Sequence, residues 1–143
     1  MARAKPRTVA DLIRVHEGVR PKVYRDTRGV LTIGVGRNLR DVGLSADEIE
    51  MLFRNDVERA TGAARRYRWF AELSEVRQAV IIDMIFQLGS AGVRKFRRMR
   101  AALAAGAYGE AALEMLDSTW ARDQTPRRAR QLARMMRRNL WPR

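Results

Sequence analysis

Apolar residues recur at helical spacing along almost all of the 143 residues, and the pattern fails only between about residues 20 and 40. That one interruption limits the fold more than any other feature of the chain. Before it, Thr8 with Asp11 three positions on has the form of a capping box, and Val9, Leu12, Ile13 and His16 trace one helical face. Gly18 then offers a stop, which puts Glu17 on the last turn of a short first helix. Within the interruption, Val23-Tyr24 and Val30-Leu31-Thr32-Ile33 are strand formers, and Asp26-Thr27-Arg28-Gly29 lies between them as a turn. Gly34 and Gly36 alternate with Ile33 and Val35, a sign that another backbone or a ligand approaches closely there. The segment reads as a β-hairpin over about 22–39.

The remaining segments read as helices. Ser45 with Glu48 makes a second capping box, ahead of a stripe of Ile49, Leu52, Phe53 and Val57 on a helix that runs to about Arg66. A further start at Ser74 leads into Val76, Val80, Ile81, Met84, Ile85 and Leu88, apolar on nearly every side, so this is the buried central helix, ended by Gly89. Helices are also expected at about 93–105 and 108–117, and a last one from Thr125 with Pro126 in its first position. There is no internal repeat and no linker-like tract. The expected class is mainly α (α+β), one domain over residues 1–143. A small lobe of about 17–66 would carry the hairpin, and a larger helical lobe would take 1–16 and 67–143.

Charge is the unusual part of the composition. Lys and Arg number 29 against 16 acids, a net of +13, and nearly all the basic residues are arginine. Such a field favours polyanions: nucleic acid, anionic lipid or an acidic wall polymer. No cysteine is present, which excludes disulfides, thiolate metal sites and a cysteine nucleophile. No metal site and no cofactor are expected. The N-terminus MARAKPRTVADLIRVHE lacks a continuous apolar core and is not a secretory signal. The run AVIIDMIF is broken by Asp83 and too short to span a bilayer, so the expectation is a protein without signal or transmembrane segment, made in the cytoplasm.

Three polar side chains stand out against the basic and apolar background of residues 16–36. Glu17 ends a helix, Asp26 closes the first strand and Thr32 lies inside the second. Hairpin geometry can bring Asp26 and Thr32 to one side of a cleft and the helix end can bring Glu17 to the other. Glycoside hydrolysis needs two such carboxyls, one neutral to protonate the leaving oxygen and one ionised. A threonine hydroxyl, both donor and acceptor, can hold an attacking water. Spacing alone leaves the plainer alternative, solvated turn residues, in place.

The residues themselves go further. Glu17-Gly18, Tyr24-Arg25-Asp26-Thr27, Gly29 and Thr32-Ile33-Gly34-Val35-Gly36 resemble the signature of the phage-type lysozymes, glycoside hydrolase family 24. The likeness resumes at Phe86-Gln87-Leu88-Gly89 and across Trp120–Ala129, in the same order. It implies a lysozyme-like fold, and an endolysin that cuts the β-1,4 bond between N-acetylmuramic acid and N-acetylglucosamine with inversion. Glu17 would be the general acid, Asp26 the carboxylate that assists water and stabilises the transition state, and Thr32 the holder of that water. Gly34 would let the glycan approach, Gln87 and Trp120 would line the cleft, and Arg128 would pair with the catalytic Glu. Peptidoglycan glycan strands are then the partner, nucleic acid is not, and the protein acts as a monomer. It would reach the wall from the host cytoplasm through a membrane lesion made by a holin.

The sequence also departs from the pattern. Arg37 stands where T-even-type members have a histidine, and Arg37–Leu44 replaces a longer insertion, which predicts a minimal small lobe with little third strand. His16, the one histidine, lacks partners for a triad or a metal and reads as structural. Trp69-Phe70 and Met99, Met115, Met135 and Met136 read as packing residues. The C-terminal TPRRARQLARMMRRNLWPR reads as a helix with its apolar stripe on the core and its arginines solvated; the alternative is a basic amphipathic element that meets an anionic envelope surface. Two other functions compete: a lytic transglycosylase on a related fold, which would need neither Asp26 nor Thr32, and a helical nucleic-acid-binding protein.

Overall fold

The computed structural model describes residues 5–143; the first four residues of the domain and signal-peptide readings lie outside them. Six α-helices, three short strands, one 3-10 turn and one π-helical turn follow each other along the described chain. They form two compact units, one ending at Met51 and the other Leu52–Arg143, with the boundary inside the second helix.

The first unit begins with α1 (Val9–Glu17), set by the Thr8–Asp11 capping box: each side chain accepts from the other residue's backbone N–H, at 3.1 and 3.2 Å. Gly18 ends it at φ 74° and donates its N–H to the Arg14 carbonyl. The chain then enters β1 (Arg20–Arg25), β2 (Leu31–Gly34) and β3 (Arg37–Asn38), an antiparallel sheet in the order β1-β2-β3. Tyr24 faces Thr32 across the first pair, and Thr32 faces Asn38 across the second. The third strand is two residues long, as the short Arg37–Leu44 connection predicts. Helix α1 groups with this sheet, whereas the sequence reading set residues 1–16 in the larger lobe.

Helix α2 (Ala46–Arg65) starts at the Ser45–Glu48 capping box. The apolar faces expected on α1 and α2 do not join a core. No residue of α1 is buried, Ile49, Leu52 and Phe53 of α2 are about half exposed, and only Ala60 and Ala64 of α2 are buried. For α1 the reason is size: a unit that ends at Met51 has too little interior to hide a helical face.

The second unit holds the core. Its centre is α3 (Glu75–Arg94), capped by Ser74, which accepts from the Arg77 N–H. Gly89 interrupts α3 at φ 75°, ψ 165°, which is the stop the sequence predicted, after which one more helical stretch follows. Around α3 pack α4 (Arg97–Ala104), α5 (Tyr108–Leu116), the π-helical turn Trp120–Gln124 and α6 (Pro126–Arg138). Val80, Ile81, Met84, Met99, Met115 and Met136 have no exposed surface, so the methionines fill the core as expected. At 20 residues α3 meets the length and hydropathy of a membrane span, longer than the AVIIDMIF run suggested; its burial among these residues identifies it as the core helix.

Candidate active site

The hairpin turn fixes Asp26 through its own backbone. Asp26 Oδ1 accepts from the N–H of Arg28 at 2.9 Å and of Val30 at 2.8 Å, while the Asp26 N–H donates to the Val30 carbonyl at 2.9 Å. This is the arrangement by which an aspartate side chain closes a turn. Gly29, at φ 76°, donates back to the Asp26 carbonyl and lets the chain reverse. The hydrogen bond from Val30 foremost, helped by that from Arg28 and its nearby charge, holds the Asp26 carboxyl below the usual aspartate range despite the cost of desolvation. Asp26 is therefore ionised at neutral pH, with Oδ2 facing the Arg28 guanidinium at 3.6 Å.

Thr32 is tied to Val30 as well. Its hydroxyl donates to the Val30 carbonyl at 2.9 Å, and the residue is buried, the only polar residue so buried among those described. Asp26 follows directly on β1 and its N–H bond to Val30 extends the register by one pair, so alternation sets it on the face of Tyr24, and pairing of Tyr24 with Thr32 puts Thr32 on that face too. With its proton committed to Val30, the Thr32 oxygen is left as an acceptor. A water near both residues can donate one hydrogen to Asp26 and the other to Thr32, which leaves its lone pair free.

Glu17 sits on the last turn of α1 and its carboxyl lies over Gly36. A Cβ at position 36 would stand 2.8 Å from Glu17 Oε2 and 2.9 Å from its carboxyl carbon. Gly36 also has φ 70°, so glycine is required twice over. The sequence marked this glycine as a place of close approach; the approaching group is the Glu17 side chain. Gly34, the glycine named for glycan approach, has φ 69° and open space at its Cβ position.

Arg37 is the member of this region that sequence reasoning undervalued. Its guanidinium makes a two-pronged pair with Glu48, 2.7 and 2.5 Å, and also donates to the Gly43 carbonyl at 3.0 Å. Glu48 Oε2 at the same time accepts from the Ser45 N–H at 2.7 Å. Those contacts, Arg37 first, draw the Glu48 pKa down to about 2. Arg37 thus joins β3 to the start of α2 across the shortened connection. Only the charge pairing of a strand-end Arg with a capping-box Glu hinted at this in the sequence. His16 is exposed.

The other three site candidates belong to the second unit, where Gln87 links two of its elements. Its Oε1 accepts from Trp120 Nε1 at 2.9 Å and its Nε2 donates to Thr125 Oγ1 at 3.0 Å. Thr125 precedes α6 and makes no side-chain cap of its own. Trp120 is buried and meets Phe96 edge-on, so its ring is a packing surface and its N–H is held by Gln87. Arg128 makes its ion pair with Asp83, Nε and Nη2 both reaching Oδ1 at 2.8 and 2.7 Å. In the sequence alone, Asp83 is only a break in an apolar run. Among the described residues no group of side chains is arranged to hold a metal ion.

Comparison with known proteins gives the family. The phage lysozyme family model matches residues 14–140, nearly the whole described chain. Two proteins of Dictyostelium discoideum, "Probable T4-type lysozyme 1" and "Probable T4-type lysozyme 2", are 28% and 25% identical over 85% of this chain and 89% of their own lengths. The pre-baseplate central spike protein Gp5 of Enterobacteria phage T4 is 29% identical over 79% of this chain, which corresponds to 25% of that longer protein. The chain belongs to the phage lysozyme family and is a lysozyme-type glycoside hydrolase.

Proposed function

We propose that this lysozyme is an endolysin that hydrolyses the β-1,4 bond between N-acetylmuramic acid and N-acetylglucosamine in peptidoglycan with inversion. Glu17, protonated, gives its proton to the glycosidic oxygen as the C1–O bond breaks. A water that donates to the Asp26 carboxylate and to Thr32 Oγ1 attacks C1 from the opposite face. Asp26 takes the water's proton and stabilises the positive charge that develops on the sugar. Glu17 recovers its proton from solvent and Asp26 returns one. Gln87 and Arg128 contribute to glycan binding, Trp120 acts there only by holding the Gln87 amide, and Gly34 leaves room for the sugar.

One observation carries the reading: Asp26 and Thr32 are both anchored on Val30, Asp26 by accepting from its N–H and Thr32 by donating to its carbonyl, with the Asp26 carboxyl held in its ionised form and Thr32 left as an acceptor. A turn that needed only to reverse the chain has no use for a buried threonine hydroxyl beside it. The absence of water-assisting groups in a transglycosylase makes product mass the decisive assay. Purified peptidoglycan digested by the wild type should release muropeptides one water heavier than anhydro products, and Glu17→Gln should release almost none. Anhydro products, or full activity of Glu17→Gln, would overturn the assignment.

The same reading includes action as a monomer, and passage from the host cytoplasm to the wall through a holin lesion. Expression without a holin should leave Gram-negative cells intact; lysis in that setting would point to another export route.

A further inference from the structure

The C-terminal element has an outer face that the glycosidase reading does not use. Helix α6 turns Ala129, Leu132, Ala133, Met135 and Met136 into the core, so its apolar stripe is fully engaged there. Its opposite side carries Arg127, Arg130, Gln131, Arg134 and Arg138, all exposed and at one-turn and two-turn spacing. Among the described residues, Arg127, Arg130, Arg134, Arg138 and the terminal Arg143 have no acidic partner. Asn139 then ends the helix in the left-handed conformation, φ 56°, and turns the chain so that Leu140–Arg143 lie beside α6. The helix and this tail together line a groove of about 1060 Å³. The end of α6 is fixed to the core unit: Asn139 meets Ser74, and Arg77 donates to the Met136 carbonyl at 2.8 Å.

Two features of this face point to its occupant. The unpaired guanidinium groups attract phosphates. Leu140 and Trp141 stand next to them and leave 63% and 55% of their surface to solvent. A polyphosphate backbone needs the arginines and gains nothing from an exposed leucine. A bilayer surface needs both: arginines at the headgroup level and a tryptophan with an apolar residue at the headgroup–acyl boundary. We propose that the outer face of α6 and the Leu140–Trp141 tail form a docking surface for anionic phospholipid membranes. Docking is peripheral, since the apolar stripe of the helix stays in the core and only the tail enters the interface.

The test is co-sedimentation with vesicles of equimolar phosphatidylglycerol and phosphatidylcholine, against pure phosphatidylcholine, at physiological salt. The wild type should bind the anionic vesicles and not the neutral ones, with a blue shift of tryptophan emission that Trp141→Phe removes. Each arginine near such a surface is worth about a fivefold change in affinity, so Arg130→Ser/Arg134→Ser/Arg138→Ser should bind about a hundredfold more weakly. The triple variant should hydrolyse purified peptidoglycan at the wild-type rate, because none of the three residues belongs to the site or the core. Equal binding to neutral vesicles, undiminished binding by the triple variant, loss of binding when inorganic phosphate replaces chloride at equal ionic strength, or tighter binding to duplex DNA than to the vesicles would each overturn the proposal.

Discussion

The two compact units of this lysozyme are held together by different physics. The second unit is a hydrophobic core: α3 at its centre, with Ile81, Met84, Met99, Met115 and Met136 shut off from water. The first unit buries only Val30 and Thr32 among its described residues, and is defined by directional contacts. Two capping boxes, a turn closed by Asp26, an Arg37–Glu48 pair and a glycine pressed by Glu17 give it shape. Hydrogen bonds and ion pairs fix angles, while apolar burial supplies bulk stability. The proposed reactive groups sit where angles are fixed. The comparison predicts that substitutions in the first unit act on catalysis and those in the second act on folding.

The largest effect should come from Asp26→Asn. The amide oxygen can still accept from the Arg28 and Val30 N–H groups, so the turn survives, while the negative charge and the base are gone. Activity on purified peptidoglycan should fall by about 10²–10⁴-fold, with a melting temperature near that of the wild type. A large loss of stability would instead show that the charge is structural, and the separation of roles would break down.

Next is a contrast between two apolar truncations. Ile81→Ala removes a fully buried side chain from α3 and should cost about 2–5 kcal/mol. Leu12→Ala, on the exposed face of α1, should change stability by no more than about 0.5 kcal/mol. Paired denaturant titrations check this directly, and equal costs would mean that α1 contributes to a core after all.

Much of the division between the units could be read in the chain. Helix starts at Thr8, Ser45 and Ser74 were legible because capping is local: the hydroxyl and its partner lie three residues apart. The stop at Gly89 and the turn at Asp26–Gly29 were legible for the same reason. What could not be read was which apolar faces become buried, because Val9, Leu12 and Ile49 have the same pattern as Val76 and Val80 and differ only in what lies opposite them. Partners distant in sequence were equally hidden. Nothing local says that Gln87 joins Trp120 to Thr125, that Asp83 pairs with Arg128, or that Glu17 rests on Gly36. The trio Glu17, Asp26 and Thr32 was singled out by its resemblance to a family, and the spacing by itself was ambiguous.

Gly36→Ala is the next way to sharpen the contrast, because it acts on the position of Glu17 without touching its chemistry. The added methyl would overlap the carboxyl, and the positive φ adds about 1 kcal/mol of backbone strain. A displacement of Glu17 by a fraction of its length should lower kcat by about 10²-fold with KM little changed. Gly34→Ala meets open space, so it shares the strain of a positive φ without the collision. If both variants lost the same activity, strain alone would explain the result and the contact with Glu17 would be incidental.

The smallest effect concerns acid. The Glu48 carboxyl has a folded pKa of about 2 against an ordinary 4.5, drawn down first by Arg37. A carboxyl with a depressed folded pKa binds fewer protons folded than unfolded through that window, so its contribution is complete above about pH 4.5 and is lost as pH falls toward 2. Asp26 and Asp41 are lowered as well, Asp26 chiefly by the Val30 N–H and Asp41 by Arg40, and add to the same acid limb. All three belong to the first unit. Acid should therefore loosen the β3–α2 junction before it disturbs the core around α3, with little change at any pH above 5. Amide hydrogen exchange at pH 3 should show faster exchange at Arg37–Ser45 than at Val80–Ile85, relative to their rates at pH 6. Glu48→Gln should remove most of that pH dependence while making the junction looser at neutral pH. If it left the acid sensitivity of the junction unchanged, the pair with Arg37 would not be what closes the shortened connection, and the neighbouring aspartates would have to account for it.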